Sequence, residues 1–281
     1  MNRGIILCNK PKDYTSRDVV NVVSKYLNTK SVGHTGTLDK NATGVLVLLV
    51  GKYTKLASIL VNDEKEYIAT FKLGLETDTL DLDGRVIKSS NKKCTKEEIE
   101  NAIYSFKGIY MQEVPSYSAV HINGKRLYKY AKENKNVELP KRLVDIKKID
   151  IISISDKEIK CKFLVSKGTY IRSLIRDIGE KLGTYAVLCD LIRTREGMFN
   201  LDNCFTLDEI KSGKFKLLGL KNILDEDTFL EVDDKKYKEI SNGVVQAVNF
   251  DKTLVCFTYN EKEVALYKKE KNHYKMFIKL I

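Results

Sequence analysis

Asp39 stands where a reactive carboxylate could be held. It lies in SVGHTGTLDKNATG (31 to 44), a polar stretch with three glycines and three threonines that runs directly into the apolar VLVLLV. Glycine lets backbone approach a ligand closely, and a loop fixed to a buried strand is a favoured seat for reactive groups because the scaffold supplies the rigidity. By itself, though, an aspartate in such a loop reads first as a turn or cap residue. Arg172 poses a complementary problem. Thr169 is placed to cap a helix, which puts this cation in the first turn, where the macrodipole disfavours it by roughly 0.3–1 kcal/mol. An anionic partner such as Asp39 or a phosphate would relieve the conflict; otherwise the side chain points to solvent. Tyr67 falls on the apolar face of an alternating strand and Tyr170 at a helix start, and core packing is the default for both.

Other chemistries lack their residues. The chain has no GxxxxGK[ST], strand-linked GxGxxG, HExxH or GxSxG, which removes the sequence support for ATP, dinucleotide, zinc-protease and serine-hydrolase functions. Gly33 to Gly36 spell the GxxG of KH loops, but the flanking helices are not KH-like. The six cysteines, at 8, 94, 161, 189, 204 and 256, are too widely spaced for a zinc-ligand set. They read as buried reduced thiols, and the HxE with PCxxC of zinc deaminases is missing. No metal site is expected.

The 281 residues include 49 Lys and Arg against 38 Asp and Glu, a net charge of +11 that favours a polyanionic partner. A solvated lysine-rich surface would give the same composition. The longest apolar run, from Val45 to Val50, is far below the roughly 18 to 20 residues of a membrane-spanning helix. No signal-peptide h-region is visible, so a cytoplasmic protein that does not use membranes is expected.

Hydrophobic periodicity then supplies the elements that must position these residues. GIILCNKP reads as a buried strand stopped by Lys10-Pro11, and Ser16 as the cap of a helix with Val19, Val20, Val23 and Leu27 on one face. After the loop and VLVLLV, residues 65–74 alternate as a strand with Tyr67, Ala69, Phe71 and Leu73 on one side. A turn-rich TDTLDLDG (77 to 84) leads to a helix opened by Thr95 and Glu98 as a capping box. A strand, a basic hairpin-like HINGKRLYKYAK and two long strands (143–154 and 158–166) follow. A helix striped by Ile171, Leu174, Ile175, Ile178 and Leu182 ends at Gly183, and a strand returns over 185–195. From about residue 225 short strands and turns take over. The pattern predicts an α+β fold: a mixed, largely antiparallel sheet with flanking helices over 1–224, and a small β-rich module over 225–281.

Five blocks, in order, resemble those of the TruB-type tRNA pseudouridine-55 synthases of bacteria: GHTGTLDKNATGVL (33 to 46), KEYIATFKLGLETDTLDLDG (65 to 84), VPSYSAVHINGKRLYKYAKEN (114 to 134), SKGTYIRSLIRDIGEKLG (166 to 183) and LIRTREGMF (191 to 199). The first departs from the family at Lys40-Asn41, where proline commonly follows the aspartate. ISNGVVQAV (240 to 248) is similar to part of the family's PUA-like RNA-binding module, although the usual Lys-Pro of the final strand is missing. The resemblance implies the pseudouridine synthase fold and a cofactor-free isomerisation of one T-loop uridine.

By the same resemblance, Asp39 matches the catalytic aspartate and Arg172 the arginine that pairs with it. Tyr67 matches the tyrosine that stacks on the target base and assists proton removal, while Tyr170 and Leu191 match residues lining the uridine pocket. His34 matches the histidine that fills space left by flipped bases, and Asp81 an acidic residue of the TDTxDxxG block. Lys10, Lys125, Arg126 and Lys129 are candidate phosphate contacts on the RNA path. The partner implied is the tRNA T-stem and loop, with no obligatory protein partner. Rival readings are a catalytically silent RNA-binding protein or chaperone on the same fold, a ribosomal-RNA synthase, and the guide-RNA form, which normally carries longer extensions.

Overall fold

A computed structural model describes residues 3–60, 64–133, 135, 137–247 and 250–281. Asn134 and Val248, which end two of the blocks quoted above, lie outside the described residues. Strand β1 (Gly4–Lys10) leads into α1 (Ser16–Tyr26), β2 (Val32–His34) and β3 (Thr43–Val50). The short α2 (Ala57–Leu60) precedes β4 (Lys65–Leu73) and the hairpin of β5 (Leu75–Thr77) and β6 (Val86–Ser89). Next come α3 (Lys96–Tyr104), β7 (Gly108–Glu113), the small hairpin β8 (His121–Ile122) and β9 (Lys125–Arg126), and α4 (Leu127–Lys132). The long β10 (Lys141–Ile154) and β11 (Ile159–Val165) are followed by α5 (Ile171–Leu182), β12 (Ala186–Glu196), β13 (Phe199–Asn200), β14 (Phe205–Thr206) and α6 (Leu207–Lys211). The C-terminal part holds β15 (Phe229–Glu231), α7 (Asp234–Ser241), β16 (Leu254–Tyr259), β17 (Lys262–Glu270) and β18 (His273–Lys279).

The main sheet runs β14-β1-β3-β12-β4-β11-β10-β7, with β2 beside β3 and β13 beside β12. Among the described residues of this sheet only β1 with β14 and β3 with β12 pair in parallel, so the sheet is mixed and largely antiparallel. Helices α3 and α5 bury Ile99, Ile103, Leu174 and Ile178 against Phe71 and Phe163 of β4 and β11. Helices α1 and α6 cover Ile6, Leu46 and Leu48 at the other end. The opposite face of those strands, Ile5, Leu7, Val45, Val47 and Leu49, packs on Cys256, Leu266, Ile278 and Leu280. VLVLLV is therefore apolar without alternation because both of its faces are covered, one by helices and one by the C-terminal four-stranded sheet β15-β16-β17-β18.

Several expectations shift locally. Thr15, not Ser16, caps α1, because Asp18 lies three residues on and completes a capping box. The supposed loop 31–44 contains β2, which pairs Val32, Gly33 and His34 with β3. Helix α5 starts with Tyr170 at its N-cap position and no side-chain cap from Thr169. Its end at Gly183, φ 67°, is the left-handed stop expected there. Of the cysteines, Cys8, Cys161 and Cys256 are buried thiols, whereas Cys94, Cys189 and Cys204 are half-buried. No helix among the described residues is long and apolar enough to cross a membrane.

Candidate active site

The Asp39 loop is tied down from three sides. Ser16 Oγ accepts a hydrogen bond from the Leu38 N–H at 2.9 Å, so the residue next to the helix cap serves the loop instead of the helix. From β12, Arg193 Nη2 donates to Gly36 O at 3.1 Å and Nε to Val45 O at 2.7 Å. Gly44, φ +103°, passes so close to β12 that an added Cβ would lie 2.2 Å from Arg193 O, which only glycine permits. The third tie corrects an expectation. Lys10 is no phosphate contact: it is 0% exposed, and its Nζ donates to Pro11 O, Tyr14 O and Lys40 O at 2.9, 2.6 and 3.1 Å. Burial pulls its ammonium down to about 8 against the raising influence of Asp39. As the last residue of β1 it continues the inward parity of Ile6 and Cys8.

Arg172 resolves its conflict with the helix dipole through Asp39. Nε donates to Asp39 Oδ2 at 2.9 Å and Nη2 to Oδ1 at 3.0 Å, a two-pronged grip that fixes the direction of the carboxylate. Nη1 donates to Thr79 O at 2.9 Å and Nη2 also to Tyr117 O at 3.1 Å. The arginine is 6% exposed while the aspartate side chain is 45% exposed, so a buried cation presents an accessible carboxylate. Asp81 stands behind this pair, its Oδ2 3.9 Å from Arg172 Nε. Burial raises its carboxyl, opposed by the hydrogen bond from Thr79 Oγ1 and by Arg172.

Position and orientation of Tyr170 come from a residue with no sequence signal. Buried Gln112 of β7 accepts from the Tyr170 N–H at 2.8 Å and donates to its carbonyl at 3.2 Å, replacing a local helix cap. The Arg142 guanidinium lies 5.2 Å over the Tyr170 ring. Tyr67 is buried on β4 directly opposite Arg193 of β12, and Lys65 is opposite Glu196. A register shift between Arg193 and Arg195 turns Arg193 and Glu196 to the same side although they are three apart. Glu196 there accepts from Thr35 Oγ1 at 2.8 Å and sits 3.5 Å from Lys65 Nζ.

Asp39, Tyr67, Tyr170, Arg172, Leu191 and Arg193 share the wall of one cavity of about 530 Å³, a size suited to one nucleoside. Leu191 and Asp39 also border a smaller cavity of about 200 Å³ with Asp81. His34 is not on either wall; it is half-buried on β2, its Nδ1 without a hydrogen-bond partner among the described residues. Burial lowers its imidazole, with Arg17 and Arg193 adding to the effect. Arg126 and Lys129 are exposed on β9 and α4, and Lys125 is half-buried with its ammonium 2.5 Å from Glu133. Tyr128, Lys132 and Lys167 border the larger cavity and were not singled out from sequence. Arg193 was equally overlooked, although it shares the inward parity of Leu191 in LIRTRE and a charge at such a position is a signal in itself.

A site in which a buried arginine aims an exposed aspartate into a nucleoside-sized cavity, beside Tyr67 and Tyr170, suits isomerisation of a base within RNA. Comparison gives the family. Residues 24–171 match the model described as TruB family pseudouridylate synthase (N terminal domain), and 172–223 that of the tRNA pseudouridylate synthase B C-terminal domain. The chain is 43% identical to tRNA pseudouridine synthase B of Alkaliphilus oremlandii over 244 residues, 87% of this chain and 78% of that protein. With the protein of the same name from Mesoplasma florum it shares 38% over 275 residues, 96% and 95% of the two chains. In fold it is similar to a chain in the crystal structure of a Cbf5-Nop10-Gar1 complex, with a TM-score of 0.67 at 24% identity, covering 98% of this chain and 84% of that one. The protein belongs to the TruB family of pseudouridylate synthases and isomerises uridine to pseudouridine.

Proposed function

We propose that this enzyme acts alone and without a cofactor on tRNA, converting the T-loop uridine at position 55 to pseudouridine. The relatives at 38–43% identity carry the name tRNA pseudouridine synthase B. The observation that carries the chemical reading is the two-pronged Arg172 to Asp39 contact on the wall of the nucleoside-sized cavity. Asp39, its carboxylate gripped and aimed by the guanidinium, serves either as a nucleophile toward the sugar or as a base on the ribose. Tyr67 and Tyr170 supply faces against which the detached uracil is held while it turns, and Leu191 closes the pocket. Extruding the base costs a few kcal/mol. Phosphate attraction by Arg126, Lys129 and their neighbours on β9 and α4 offsets that cost, and His34 fills space vacated by the flipped bases. The 225–281 module we read as PUA-like and RNA-binding, and the cytoplasm as the place of action.

The test is the purified protein with unmodified tRNA transcript and no guide RNA, followed by position-resolved mapping of pseudouridine. Conversion of uridine 55 alone by wild type, and by Asp39→Asn not at all, is the expected result. Modification at another position, or a need for a guide RNA or protein partner, would overturn the assignment of substrate while leaving the isomerase class intact.

A further inference from the structure

Arg193 is the second buried guanidinium of the cavity wall, and it does not touch Asp39. It is 0% exposed. Nε and Nη2 are committed to Val45 O and Gly36 O, and Nη2 also lies 3.0 Å from Glu196 Oε2. Nη1 alone has no hydrogen-bond partner among the described residues. A buried N–H of a cation without a partner is costly, so a feature that keeps one needs a reason. The strand register supplies the direction: Arg193 stands opposite Tyr67 on the neighbouring antiparallel strand, their side chains on the same face. Nη1 also lies at the loop, since an added Cβ on Gly36 would be 3.3 Å from it.

We propose that Arg193 is a positioning residue for the last chemical step, its open Nη1 holding the Tyr67 oxygen and stabilising that oxygen as a phenolate when it receives the proton of uracil C5. The inference rests on the proposed role of Tyr67. Once C5 has bonded to the sugar C1′, the C5–H bond breaks and its proton passes to the phenolate. The electron pair forms C5=C6, the C6=N1 pair withdraws onto N1, and N1 takes a proton from water. The phenol returns a proton to solvent before the next turnover, so the reaction remains an isomerisation. Burial pushes the Tyr67 phenol upward, with Glu196 and Asp39 adding to that, whereas Arg193 is the group that lowers it. Without the guanidinium the step would slow, because charge on a buried oxygen is costly when the group that stabilises it is removed.

A 5-deuterated target uridine reads this step directly. Arg193→Lys keeps the charge but lacks the fork that reaches Gly36, Val45 and Tyr67 together. Its kcat is expected to fall about 10- to 100-fold with KM within about threefold, and the deuterium effect on kcat to rise above the wild-type value. Tyr67→Phe should show the same rise, and the double variant should be no slower than Tyr67→Phe alone, as for residues acting through one another. A fall in kcat with an unchanged isotope effect would mark Arg193 as merely structural and overturn the proposal, as would wild-type kcat. If Tyr67→Phe itself has wild-type kcat and isotope effect, the reading of Tyr67 has failed; if only Arg193→Lys is silent, this inference alone has failed. Should Arg193→Lys not fold, Arg193→Gln combined with Glu196→Gln removes both buried charges at once, and the same isotope criterion decides.

Discussion

The Asp39 cleft and the C-terminal sheet are held to the rest of the fold by different means. On the cleft side, buried charges make directional bonds: Arg172 to Asp39, Arg193 to Gly36 and Val45, Lys10 to Lys40. On the far side, β16, β17 and β18 meet β1 and β3 mainly through Cys256, Leu266, Ile278 and Leu280, with Tyr53 to Glu263 and Arg3 to Leu280 O as polar ties beside them. Apolar contact is non-directional and fixes a face, whereas a forked, desolvated hydrogen bond fixes an atom. Burying a cation costs desolvation that even well-placed partners do little more than offset. The concentration of such cations around one cavity therefore marks where position matters more than stability.

The comparison breaks most sharply at Asp39. Asp39→Asn keeps the shape and loses the charge, so turnover on tRNA should drop at least about a thousandfold, roughly 4 kcal/mol, with tRNA affinity by filter binding within a few-fold. Arg172→Lys keeps the charge and loses the two-pronged grip. We expect kcat about 100-fold lower, near 2.7 kcal/mol, and KM nearly unchanged; the reverse pattern would mean that Arg172 grips phosphate. On the apolar side, Leu266→Ala should cost about 3 kcal/mol of stability by cavity formation and lower Tm while kcat stays level. Lys10→Met leaves three carbonyls unpaired and should cost about 2 kcal/mol. Unlike Leu266→Ala, it should also lower kcat, because Lys40 O is one of those carbonyls.

The smallest effect concerns His34, whose folded value lies below its ordinary 6.5 because of burial. Above about pH 6.5 the imidazole is neutral in both states and contributes no slope. As pH falls below that, the unfolded chain takes the proton before the folded one, so stability declines. His34→Gln should flatten the fall of Tm on acidification; an unchanged slope would assign it elsewhere.

Much of this division was legible in the chain. The alternation at 65–74 gave Tyr67 its face, and Thr95 with Glu98 opened α3 as their spacing requires. Where reading failed, the cause is partner distance or a neighbouring alternative. Thr15 and Ser16 are adjacent cap candidates, and the Asp18 spacing that decides between them was open to inspection. Gln112 caps Tyr170 from 58 residues away, which no local pattern can show. Arg172 and Asp39 are 133 apart, and only the misplaced charge at a helix start, together with the family blocks, pointed from one to the other. Lys10 looked like a surface lysine because its type was weighed above its parity on β1.

The guanidinium of Arg3, just before β1, donates to Leu280 O just after β18, a separation of 277 residues. Strand β1 thus leaves the ribosome well over two hundred residues ahead of the segments that close one of its faces. Contacts of such sequence separation form only after a large loop-closure entropy has been met. A nascent chain holding residues 1–224 therefore shows Ile5, Leu7, Val47 and Leu49 to its surroundings. Translation pausing between β14 and β16 should make this protein a client of chaperones that hold apolar strands.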